Sequence, residues 1–149
     1  MAEGAVYDDG LEELGVEDPL EEPALLTLDL PAVGESVREA RRQLVAFTLE
    51  HGGSKETAAN VALCVSEAVT NAVIHGSGRD PSRTVAVVAD ALDGAIEMVV
   101  LDEGPGLAAR VRSEGLGLGL GIIAQSAARF AVRDLAPNGT EVWMRFELP

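Results

Sequence analysis

Leu26, Leu28 and Leu30 alternate with Thr27 and Asp29 before Pro31 closes the run, a pattern that predicts a short half-buried strand. The period then changes. Val37, Ala40, Leu44 and Phe47 recur at helical spacing from a start near Gly34 to Ser36, and Gly52-Gly53 ends that helix. Ser54 is placed to cap a second helix through Ala58, Val61, Cys64, Val65, Ala68 and Ala72, stopping near Gly76. Two β-branched runs, TVAVVADAL and AIEMVVLD, flank Asp93-Gly94, so residues 84 to 102 read as a hairpin. A loop with Asp102, Gly104, Pro105 and Gly106 follows, then a glycine-dense stretch over 115 to 121 and a helix over about 120 to 130. FAVRDL, a PNG turn and TEVWMRFEL predict a closing hairpin with Val142, Met144, Phe146 and Leu148 on one face.

Strands without a βαβ rhythm, joined to helices with one apolar face, predict an α+β fold. The natural packing is a two-layer α/β sandwich, a mostly antiparallel mixed sheet covered by helices on one face. The 149 residues, 47% hydrophobic, suffice for one core. Residues 1–24 stand apart from that core, with nine carboxylates, no basic residue and no sustained apolar period. They read as a disordered acidic tail ahead of a domain at 25–149. The formal charge of −14 is concentrated in that tail, which leaves 16 acidic against 11 basic side chains elsewhere. A pI near 4.4 disfavours direct nucleic-acid or anionic-membrane binding, because a phosphate backbone is held through Lys and Arg. One cysteine, no signal-like opening and only short apolar runs predict a cytoplasmic protein without a membrane span. Cys64, His51 and His75 show no zinc-ligand spacing, so no transition metal is expected.

Three segments carry candidate chemistry. In VALCVSEAVTNAVIHG, Glu67, Asn71 and His75 fall four apart on one stripe of the second helix. A carboxylate and an amide one turn apart can orient a nucleophile and help hold a hydrated Mg²⁺, although a merely solvated helix face has the same pattern. Asp102 leaves an apolar strand just before Gly104 and Gly106, where it would accept from a purine amine or cap its own turn. The stretch from Gly115 to Gly121 opens a helix at Ile122-Ile123, so its backbone amides and the helix N-terminus suit an anion; a flexible linker would look similar. It is neither a P-loop nor a dinucleotide fingerprint, lacking the Gly-Lys-Ser/Thr of the one and the third glycine of the other.

In order, the E-x-x-x-N helix, the D-x-G-x-G loop, the glycine-rich segment and Gly139-Thr140 before a strand resemble the sequence boxes of the GHKL ATPases. SEAVTNAVIHG and DEGPG look most like the RsbW/SpoIIAB branch, bacterial anti-sigma-factor serine kinases, and the resemblance covers residues 25–149. It implies a Bergerat-type ATP-binding fold with Glu67 as general base and Asn71 on Mg²⁺. Asp102 would then meet the adenine amine, with Gly104 and Gly106 beside the base, Gly117 and Gly119 at the phosphates and Thr140 supporting the adenine site. It further implies a homodimer that sequesters a sigma factor and phosphorylates a serine of a STAS-domain antagonist. The link LAARVRSE between Gly106 and Gly115 has only eight residues, shorter than the usual lid of the family, which bears on turnover more than on binding. A nucleotide-binding adaptor of the same fold without phosphoryl transfer is the alternative.

Overall fold

The computed structural model describes residues 24–105 and 116–149. The expectations for the acidic tail and for the link that includes Gly106 therefore lie outside the described residues, apart from Ala24. Strand β1 (Ala24–Pro31) leads into helix α1 (Glu35–Glu50) and then α2 (Lys55–Asn71), which continues as a π-helical turn over Ala72–Gly76. Strands β2 (Thr84–Leu92) and β3 (Ala95–Asp102) follow, then α3 (Leu116–Ser126), β4 (Arg129–Asp134) and β5 (Thr140–Glu147).

The local predictions rest on turn and cap chemistry, and that chemistry is present. Asp93 and Gly94 both take positive φ, as a two-residue hairpin turn of the I′ kind requires. The Ser54 hydroxyl accepts from the Thr57 N–H at 3.0 Å and caps α2. Alternation then decides the faces. Leu26, Leu28 and Leu30 of β1, Val85 and Val87 of β2, Met98 and Val100 of β3, and Val142, Met144 and Phe146 of β5 all meet the helices. From the helical side Ala40, Leu44, Val61, Val65, Val69 and Ile123 complete the core. The opposite sheet face stays open, with Thr27, Val88, Val99 and Trp143 aligned in one cross-strand row.

The strand order is β1-β2-β3-β5-β4. Every pairing among the described strands is antiparallel, so the sheet is not mixed as expected. The reason is topological: β3, α3 and β4 form a crossover between two strands of the same direction, and the hairpin return β5 inserts between them. Helix α3 also departs from expectation, being already helical at Leu116 and ending at Ser126, where the expected span was about 120 to 130. At its C-terminal end the Ala128 N–H bonds the Arg145 carbonyl, which draws the chain into the sheet.

The helical run Lys55–Gly76, 22 residues long with a mean hydropathy of 1.3, is long and apolar enough to cross a membrane. Only short apolar runs were expected. Half of this stretch is buried within the fold, where it forms the centre of the helical layer.

Candidate nucleotide site

Glu67 and Asn71 lie one turn apart on α2 and meet α3 at a single point. A Cβ on Gly119 would stand 3.1 Å from Glu67 Oε2 and 3.0 Å from Asn71 Nδ2, so glycine is what lets α3 come this close. Asn71 is only 8% exposed, whereas Glu67 is half-buried. His75 falls in the π-helical turn that continues α2. Beneath the pair, burial pushes the Cys64 thiol up to about 11, against a hydrogen bond to Ser126 and with the Glu67 charge adding to the rise. Cys64 is thus an inert packing residue.

Gly117 and Gly119 do not sit in a loop ahead of a helix at Ile122, as predicted; both are helical within α3. Packing against α2 overrides their poor helix propensity. The glycine backbone is thus presented by a helix that is already formed at Leu116 and not by an open loop.

Asp102 ends β3 and is 5% exposed. Its Oδ1 accepts from the Gly104 N–H at 2.8 Å, so the turn-capping role is realised. Gly104 packs directly on the Gly76 backbone at the end of the α2 extension, a contact that leaves no room for a side chain. Across the sheet Asp102 pairs with Thr140, while Gly139, at φ +124°, presses on the Asp102 carbonyl. Asp102 and Thr140 therefore lie beside one end of the α2 extension and Glu67 with Asn71 beside the other. The five steps from Asn71 to Gly76 span roughly 7.5 Å at helical rise.

Two hydroxyls in this region, Thr140 Oγ1 and Ser77 Oγ, are buried and have no hydrogen-bond partner among the described residues. Buried polar atoms are nearly always satisfied, so an orphaned pair marks a place where a ligand or water supplies the missing bond. Thr140 was named through the resemblance that Gly139-Thr140 carries. Ser77 was not, because a lone serine after a helix end is an ordinary turn residue. Gly106 lies outside the described residues, and the roles of the other glycines rest on their positions alone.

The donor set fits a nucleotide: a buried carboxylate and hydroxyl at one end, and at the other a carboxylate and an amide against the Gly119 backbone of α3. A metal would rely on phosphate oxygens and water, since no group of three or more His, Cys, Asp or Glu is positioned to hold one among the described residues.

The sequence profile of the histidine kinase-like ATPase domain matches residues 30–146. An anti-sigma F factor of Shouchella clausii is 28% identical over 134 residues, covering 83% of this chain and 92% of that protein. One from Geobacillus thermodenitrificans is 29% identical over 129 residues, 79% of this chain and 88% of the relative. Among solved structures, that of the RsbU and RsbW domains of a Mycobacterium tuberculosis protein superposes with a TM-score of 0.65 at 24% identity. The match covers 84% of this chain and 32% of the solved one, so the chain spans about a third of that protein.

Proposed function

The chain belongs to the histidine kinase-like ATPase domain family, and from that premise we propose that it is an ATP-binding anti-sigma factor and protein serine kinase. In this reading it holds a sigma factor and phosphorylates a serine on a STAS-type antagonist. The names of the relatives support the first part. The observation that carries the reading is the convergence of Glu67 and Asn71 on Gly119, at the far end of the α2 extension from Asp102 and Thr140.

Each residue then has a separable task. Asp102, buried and acceptor-only when ionised, receives the exocyclic amine of adenine, and the Thr140 hydroxyl gains a partner at the same end. The backbone amides around Gly117 and Gly119 donate toward phosphate oxygens. Glu67, half-buried, accepts the proton of the incoming serine hydroxyl, and the Asn71 amide oxygen serves a hydrated Mg²⁺. When bound, that ion neutralises charge on the phosphates. Gly104 and Gly106 lie beside the base, the homodimer implied by the resemblance belongs to the same proposal, and the setting is cytoplasmic.

The alternative, an adaptor that holds nucleotide and partner but transfers nothing, draws on the eight-residue link between Gly106 and Gly115. Closing lids exclude water and complete a phosphate shell, so a short link costs turnover before it costs binding. Incubating the chain with γ-labelled ATP, Mg²⁺ and STAS-domain proteins of the same genome tests the choice. Label on a partner serine, abolished by Glu67→Gln, supports the kinase. Capture of a sigma factor with no transfer to any STAS protein supports the adaptor, and failure to capture a sigma factor contradicts both.

A further inference from the structure

The outer surfaces of α1 and α2 meet in an open apolar groove lined by Val45, Ala46, Leu49, Ala58, Ala59 and Ala62. Its two connected parts measure about 340 and 520 Å³, and Leu49 at its centre is 47% exposed. The rim is wholly cationic. Arg38, Arg41, Arg42 and Lys55 line it, four of the 11 basic residues of a chain that carries 25 acidic ones. Arg42 is paired with Glu39 at 2.7 Å, whereas Arg38, Arg41 and Lys55 make no ion pair among the described residues. An apolar trough with an unneutralised basic rim calls for an occupant that alternates carboxylates with aliphatic side chains.

We infer that this occupant is the N-terminal segment of the same chain, residues 1–23, docked in cis on the α1/α2 groove. The segment has nine carboxylates and no base, and Leu11, Leu14, Val16 and Leu20 are interspersed among its acidic residues. A chain that cannot form its own core can still bind a surface of opposite charge. Reach is not limiting, since 23 residues extend up to about 75 Å while the 16 residues of α1 span about 24 Å. Tethering favours the intramolecular mode, because a short linker sets an effective concentration in the millimolar range. The inference is independent of nucleotide chemistry and stands or falls apart from it.

Cys64 is buried, so a spin label attached to a Gly10→Cys variant of the full chain goes to the N-terminal segment alone. Docking in cis predicts that amides over residues 38–49 and 58–62 broaden several-fold more than those of β4 at the far edge of the sheet. The preference should vanish in an Arg38→Glu/Arg41→Glu variant, whose exposed side chains play no part in the core, and fall steeply at about 0.5 M salt. Uniform broadening, or a preference unchanged by the charge reversal, overturns the inference. So does broadening that appears only when spin label and ¹⁵N are on different molecules, which would make the occupant a second copy.

Discussion

Thr140 shows how one buried atom separates stability from binding. Its buried hydroxyl has no partner among the described residues, so it carries a desolvation cost that a methyl would not. Thr140→Val should therefore raise the stability of the free protein by about 1 kcal/mol while weakening adenine nucleotides several-fold. Melting curves and calorimetry on the same sample check both signs; loss of stability would mean that the hydroxyl is satisfied in the free chain. Asp90, on the open sheet face, is a second such residue. Burial raises its pKa, the neighbouring Glu97 raises it further, and Arg145 offsets part of the effect. The folded chain thus holds the proton more tightly than the unfolded chain. Asp90 costs stability at neutral pH, and the cost disappears as pH falls from above the raised pKa to below the ordinary value of 3.8. Asp90→Asn should give a small rise in melting temperature at pH 7 that fades in acid. Of the residues that matter here, those with local signatures were legible: Glu67 and Asn71 from spacing, Asp102 from its place between a strand and two glycines. Ser77 was not, since its burial depends on the D-x-G-x-G loop closing over the end of α2.

Helix α3 is where element-level reasoning met its limit. Gly117, Gly119 and Gly121 each weaken a helix by roughly 0.5–1 kcal/mol relative to Ala, which is why the glycine run read as a loop. The helix forms because Ile123 is wholly buried and Gly119 allows close contact with α2, neither of which local propensity contains. The three glycines are therefore not equivalent. A Cβ at Gly121 meets nothing within 4 Å, so Gly121→Ala should stabilise the protein by about 0.5–1 kcal/mol. At Gly119 the same methyl presses on Glu67 and Asn71, so the helix gain is offset and nucleotide binding or transfer falls. Thermal melts of the two variants should rank Gly121→Ala above Gly119→Ala. The reverse order would mean that α3 does not rest on the Glu67 and Asn71 pair.

On the scale of the molecule, both hairpins and the single helical face followed from alternation and turn chemistry, because those signals lie within a few residues. The insertion of β5 between β3 and β4 did not, since it pairs Asp102 with Thr140 across 38 positions of sequence. That pairing forms one end of the candidate site, and α3 against α2 forms the other, so the fold's two long-range decisions are also the ones that bring its candidate residues together. The central claim is that these two ends form one adenine-nucleotide site. Calorimetric titration of Mg-ATP into the wild type, Asp102→Ala and Glu67→Gln tests it most directly. Asp102→Ala should lose on the order of 1.5–3 kcal/mol of binding, the worth of a hydrogen bond to a charged group, while Glu67→Gln binds nearly as the wild type does. Equal affinity in the wild type and Asp102→Ala, or no binding to any of the three, would contradict the account.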